Sequence, residues 1–354
     1  ASCAHLLVSP DWPQILARLR AEGVSDDQLF VMPIPDGELW TWWRFATSVK
    51  SNLQFDGETV DLPPERFIQY IVELGRGQME EGRLALEPGL YGCAFSGLWQ
   101  KNAAKIDCVV QNLSDIASRN NYLRILYAPP ETQWQYYIET VFQRQQYADH
   151  IRIAPGNVIL NGGIASGTEV ALFLAGMDGS GCLHNVDPLG HDFLSPAVAP
   201  AVDYYSSLIR LHTLALSDSE DRIQLPVGDG HQAIGKHRDL HLEGFKTMTF
   251  DACRIDTLVE RENLNRLDLI KLDLEGAEEY VLKGMMRTVQ RLRPQIALSI
   301  YHRPEHLFEL PHQLMSRLDN YSFHLEAYSF ERWEVILYAI PNERAQPGAS
   351  PGRS

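Results

Sequence analysis

The sequence predicts an α/β fold, a mostly parallel Rossmann-like sheet closed by a C-terminal antiparallel hairpin and preceded by a helix-rich N-terminal region. Three observations predict it. From residue 156 onward, apolar runs of strand length alternate with helical patterns, the texture of βαβ units. A glycine-rich turn, Asn161-Gly-Gly-Ile-Ala-Ser-Gly167, separates the first such run from the first helix. Two late apolar runs, Phe323–Tyr328 and Trp333–Ile340, are joined too closely for a parallel crossover, so they must pair antiparallel.

The elements follow in order. Val158–Leu160 reads as a strand and Thr168–Leu174 as a helix. Cys182–Val186 is the next strand, Ala197–Leu208 a helix and Ile209–Leu216 a strand. Leu269–Leu272 is a strand, Ala277–Arg287 a helix, Gln295–Tyr301 a strand and Leu310–Leu318 a helix. The hairpin closes the sheet. Upstream, apolar spacing predicts helices from Asp11 to Gly23, Pro64 to Leu74 and Gln133 to Tyr147. Three segments result: a helix-rich region 1–150, an α/β domain 151–341, and a Pro/Gly/Ser-rich tail 342–354 expected to lack order. Six of the seven tryptophans lie in 1–150, which suits an ordinary aromatic core better than a ligand wall.

Composition narrows the function. Of 354 residues, 45% are hydrophobic and 22% charged, enough to build a real core. No run of about 18 apolar residues marks a membrane span, and the start lacks a signal-peptide layout. The net charge of −15 is shared by both halves. Nucleic acid and anionic membrane surfaces are therefore not expected partners. The five cysteines, Cys3, Cys93, Cys108, Cys182 and Cys253, are odd in number and form no CxxC pair. That usage fits buried thiols in a reducing, cytoplasmic setting.

Glycines between a strand and a helix let the backbone turn tightly and approach a ligand. Gly162, Gly163 and Gly167 take that place here, with Asn161 leading them. Asp187 ends the next strand, at the distance where a carboxylate accepts hydrogen bonds from both hydroxyls of a ribose. The order of strand, glycine turn, helix, strand and acid predicts a nucleoside site. It does not separate a nicotinamide dinucleotide from S-adenosylmethionine.

The segment Asp268-Leu-Ile-Lys-Leu-Asp-Leu-Glu-Gly-Ala-Glu278, followed by Val281-Leu-Lys-Gly284, separates them. It closely resembles the signature of the FkbM family of methyltransferases. Leu298-Ser-Ile-Tyr-His302 with the following Arg-Pro-Glu, Leu310-Pro311, Ala215-Leu-Ser-Asp218, Arg254-Ile-Asp-Thr-Leu258 and the Tyr328–Tyr338 region are similar to that family too. The resemblance spans about residues 151–341 and implies a class I methyltransferase fold with S-adenosyl-L-methionine as cofactor. One departure stands out: the family usually opens the glycine motif with an acid, where this chain has Asn161. An amide hydrogen-bonds but carries no charge.

Methyl transfer needs donor and acceptor held in line. A hydroxyl acceptor also needs a base of near-neutral pKa. His302, at the carboxyl end of the fifth predicted strand, is the expected base. Asp273, ending the fourth, would orient it or hold the acceptor. Glu275 and Glu278 lie close by, and Glu278 suits a capping or ion-pair role. Asp273, Glu275 and His302 could share a magnesium-like ion if they converged. The resemblance requires none, so no metal is expected. His231, His237 and His241 lie in the glycine-rich stretch Gly228–Gly244, which reads as a solvated loop or a lid over the acceptor.

The expectation is an O-methyltransferase acting on a hydroxyl of a small molecule or sugar, with residues 1–150 covering the site, binding substrate or forming a homodimer. A non-enzymatic binding module with a degenerate cofactor site is the alternative, motivated by Asn161. A nicotinamide-dependent oxidoreductase is a third reading.

Overall fold

Apolar strands covered on both faces build the centre. The structure, a computed structural model, describes residues 96–127, 146–164, 166–192, 194–196, 198–227, 246–328 and 334–344, with short pieces at 5–7, 18, 21, 29–31, 77–80 and 83–86. Three helices come first: α1 (Ser96–Lys101), α2 (Ala103–Asn112) and α3 (Ile116–Tyr127). Then follow β1 (Val158–Gly162), α4 (Thr168–Met177), β2 (Cys182–Val186), α5 (Ala199–Tyr204) and β3 (Ile209–His212). Next come β4 (Ala215–Leu216), β5 (Arg222–Val227), β6 (Lys246–Cys253), α6 (Ile255–Arg261) and β7 (Leu269–Leu272). The chain closes with α7 (Glu278–Val281), α8 (Met286–Leu292), β8 (Gln295–Ser299), α9 (His306–Met315), β9 (Tyr321–Ala327) and β10 (Val335–Pro341).

Seven strands form the main sheet in the order β9-β10-β8-β7-β1-β2-β3. β8, β7, β1, β2 and β3 run parallel, and β10 is antiparallel to both β8 and β9. Every residue of β7 and β8 is buried, as expected where helices cover both faces. Ile159, Leu160, Leu269, Ile270, Leu272, Ile296 and Leu298 are core. This is the predicted mixed α/β architecture with its closing hairpin. Among the described residues no helix is long and apolar enough to cross a membrane.

Helices α2 and α3 pack on α9 and β9. Trp99 of α1 meets Phe308 edge-on at 6.2 Å. The outer margin of β9 is closed by this segment: Ser114 N–H donates to Phe323 O at 2.8 Å, and the Ser114 and Ser118 hydroxyls accept Phe323 N–H and Leu325 N–H at 2.8 and 2.9 Å.

Several elements differ from the expectation, three of them instructively. The single strand Ile209–Leu216 is two. A tight turn at Thr213, with Leu214 N–H on His212 O, sends β4 into a separate three-stranded sheet β4-β6-β5. The helix Ala277–Arg287 breaks at Gly284, where a Cβ would stand 2.5 Å from Ser217 O; glycine permits that approach and the chain restarts as α8. The helix expected from Leu310 starts at His306 and carries Pro311 inside it. Proline's φ suits a helix, and the cost is one missing N–H bond. The expected N-terminal helices and the Gly228–Gly244 histidines lie almost entirely outside the described residues.

Candidate active site

Two constellations meet at the carboxyl edge of the parallel strands. The first is the glycine turn. Gly163 has φ +79°, and a Cβ there would lie 1.8 Å from Asp273 O. No side chain fits, so the turn presses directly on the end of β7. Gly167 has φ +75° and starts α4. Asp187, just past β2, receives Ile164 N–H on Oδ2 at 2.9 Å and Leu189 N–H on Oδ1 at 2.8 Å. It thus ties the turn to the second strand and caps its own loop. A carboxylate has about four acceptor sites, so capacity remains for ribose hydroxyls.

Asn161 is fully buried and does not face the edge. Its Nδ2 donates to Glu169 Oε1 at 3.0 Å and to Asn185 Oδ1 at 3.1 Å. The negative charge that Asn161 lacks therefore sits beside it, on Glu169 in the first turn of α4. Burial raises the Glu169 carboxyl above its usual range, and Lys271 opposes that. Lys271 Nζ lies 3.5 Å from Glu169 and donates to Gly163 O at 2.5 Å. A charged side chain inside the apolar run Leu269–Leu272 was the visible signal for this role, since a buried ammonium must find partners. Glu169 had no comparable signal.

The second constellation gathers around Asp273 and His302. Asp273 leaves β7 and receives Tyr147 Oη at 3.1 Å. Tyr301 Oη is 3.2 Å from Asp273 and 3.3 Å from Glu334, so its one proton serves one of them at a time. His302 is buried, with Nε2 at 3.4 Å from Asp273 and 3.6 Å from Glu275, and Nδ1 at 2.9 Å from Glu278. Neither ring nitrogen makes a well-aligned hydrogen bond. Glu278 Oε1 also accepts Leu274 N–H at 2.7 Å, so the capping and ion-pair roles expected of it are both present. Glu275 has φ +50° and is followed by Gly276 at φ +96°. That left-handed bend, uncommon for glutamate, brings its carboxylate back toward His302. The structure brings Asp273 and Glu275 to the same ring nitrogen of His302, but the set whose ligand atoms all lie within 4.8 Å of one another is Asp273, Glu278 and His302.

The electrostatics redirect one expectation. Burial alone would lower the His302 pKa, but Glu278 first, then Asp273 and Glu275, raise it to about 10. The three carboxylates around the ring favour its protonated form, which lacks the lone pair that the general-base role expected from the sequence uses. Glu278 is held at about 2, against its burial, by His302 and His306. Glu275 is raised to about 7 by burial, with His302 pulling it down and Asp273 pushing it up. Burial raises Glu334 to about 7 as well; of the two, Glu275 stands beside His302, with a side chain 30% exposed. Tyr147, Tyr301 and Glu334 join from outside the motifs.

Residues 169–325 match the methyltransferase FkbM domain. The matched stretch contains Asp187, Asp273, Glu275, Glu278 and His302; the glycine turn lies just ahead of it. Among solved structures, the methyltransferase FkbM from Methylobacillus flagellatus KT is similar over 69% of this chain, with 20% identity and a TM-score of 0.52. This chain spans 60% of that protein's length, and at such identity the likeness is one of fold. Aeropyrum pernix fibrillarin, crystallised with natively bound S-adenosyl-L-methionine, shares 12% identity over 54% of this chain and 69% of its own, at a TM-score of only 0.31. The comparison with curated proteins finds no match. Family match and fold are those of methyltransferases.

Proposed function

We propose that this FkbM-like chain is an S-adenosyl-L-methionine-dependent O-methyltransferase acting on a hydroxyl of a small molecule or sugar. One observation carries the reading: the glycine turn and the acid cluster abut, with Asp273 N–H on Gly162 O at 3.0 Å and Gly163 pressed against Asp273 O. A site for a methyl donor and a site for a proton-losing acceptor thereby share one sheet edge, where open α/β sheets bind ligands.

The residues fit the cofactor. Gly163 and Gly167, both at positive φ, let the turn close tightly against Asp273 and Leu194, and Asp187 offers its spare acceptor sites to the ribose. When bound, the cofactor supplies an electrophilic methyl group on a sulfonium. The chain supplies the rest. Asp273, steadied by Tyr147 and Tyr301, positions the acceptor. Glu275 takes the hydroxyl proton, a task suited to a pKa near 7. The His302 imidazolium, anchored by Glu278, offsets part of the carboxylate charge gathered around it. Residues 1–150 are assigned to covering the site, binding substrate or dimerisation.

The test is calorimetric titration of the full chain with S-adenosyl-L-methionine, followed by transfer of a labelled methyl group to a panel of sugars and small alcohols. The reading expects saturable binding and label in an ether-forming position. A flat titration of folded protein would remove it.

A further inference from the structure

A second cluster of metal-ligating side chains lies at the outer strands of the sheet, apart from the Asp273–His302 group. His184 is on β2, His212 ends β3, and Glu262 follows α6. One ligand atom from each lies within 4.8 Å of the others. His184 Nδ1 and His212 Nε2 are 3.0 Å apart, and the rings are parallel to within 7°. Two bonds of about 2.05 Å in a tetrahedral zinc site place ligand nitrogens roughly 3.3 Å apart, so an ion needs only a few tenths of an ångström of opening. We propose that His184, His212 and Glu262 form a site for a divalent ion of the zinc class, fastening the end of α6 to the margin of the main sheet.

The donor set suits that class. Two imidazoles and one carboxylate match zinc and its neighbours better than magnesium or calcium, which favour all-oxygen sites. Neutral imidazole is the form that ligates. A plain imidazole pair would account for the two histidines but not for the Glu262 carboxylate beside them, whose ion pair with Arg261 spans 3.8 Å. Arg210, also near, spends its guanidinium on the Ser207 and Ile209 carbonyls.

The outer contacts set the tautomers. Cys182 Sγ lies 3.4 Å from His184 Nε2. With the ring proton on Nε2, facing that sulfur, the Nδ1 lone pair of His184 turns inward, the arrangement second contacts impose on metal-binding histidines. Without metal, His212 Nε2–H donates to that lone pair. With metal, His212 holds its proton on Nδ1 instead, so no proton is lost. His212 and Glu262 are partly exposed, leaving a fourth position for water. His212 O accepts Asp187 N–H at 3.1 Å, so an ion here also steadies the strand end beside the glycine turn.

The full chain is freed of metal with a chelator, then titrated with Co2+ by visible absorption and with Zn2+ by calorimetry and thermal unfolding. One ion per chain and a raised Tm are expected. His212→Asn and Glu262→Gln should each weaken Zn2+ binding by roughly 10–100-fold or more with unchanged circular dichroism. Glu262, on the surface, keeps the test alive should His212→Asn fail to fold. Folded wild-type chain that binds no ion, or both variants binding it as tightly as wild type, would overturn the site. No methyl donor enters these measurements, so they stand or fall separately from the methyltransferase reading.

Discussion

Glu278 anchors His302: the carboxylate takes Leu274 N–H at 2.7 Å and stands 2.9 Å from the imidazole Nδ1, with neither side chain open to solvent. The signs of the two shifts define a pH window. The raised His302 pKa adds stability that is complete below about 6.5 and is lost as pH rises through about 10. The lowered Glu278 pKa adds stability that is present above about 4.5 and is lost as pH falls toward about 2. Denaturant midpoints should therefore decline between pH 6.5 and 10, and Glu278→Gln should flatten that decline. The substitution should cost about 3–5 kcal/mol, the scale of a broken buried pair. A variant as stable as wild type, with the same slope, would show that the pair is not formed.

Activity should follow Glu275. As its carboxyl loses a proton near pH 7, kcat should rise to a plateau. Glu275→Gln should remove this limb and lower kcat by about 100- to 10,000-fold, the range for lost acid–base catalysis, while cofactor affinity holds. A retained limb would move the base elsewhere, and Glu334, whose pKa is also raised by burial, would be next.

Asp187→Ala should weaken S-adenosyl-L-methionine binding by about 1–3 kcal/mol, the scale of a lost hydrogen bond to a charged group. Asp187→Asn keeps one acceptor oxygen but sets its NH2 against either the Ile164 or the Leu189 N–H, so it should lose less than the alanine variant without matching wild type. Calorimetry separates the two, and unchanged affinity in both would detach Asp187 from the cofactor.

Gly163→Ala meets two obstacles: a φ of +79° and a Cβ placed 1.8 Å from Asp273 O. The contact is backbone, so no side chain can swing aside. A loss of about 2–4 kcal/mol in unfolding free energy is expected, with cofactor binding reduced in whatever folds. Chemical denaturation measures the first and calorimetry the second.

The sheet was readable where apolar residues run together. Cys182–Val186 and Leu269–Leu272 fall on the expected residues because apolar side chains dominate buried parallel strands, even with His184, Asn185 and Lys271 among them. β5 and β6 went unread because Arg222–Val227 and Lys246–Cys253 are largely exposed, so burial imposes no apolar period on them. In the site, Asp273, Glu275, Glu278 and His302 were visible through their motifs. The charge state of His302 was not, because it depends on three carboxylates converging in space. Tyr147 and Glu334 arrive from distant segments, and no local spacing announces them.

Ser114 and Ser118 have a consequence for how this protein can be cut. Their groups occupy the hydrogen-bonding positions along the free side of β9. Deleting everything before residue 151 would leave those amides and carbonyls bare, a template onto which another molecule's strand can add. The shortened piece should elute from a sizing column as aggregates, whereas a piece beginning ahead of Ser96 should not. The helices upstream of the catalytic sheet thus serve as its guard against self-association, whatever else they do for the substrate.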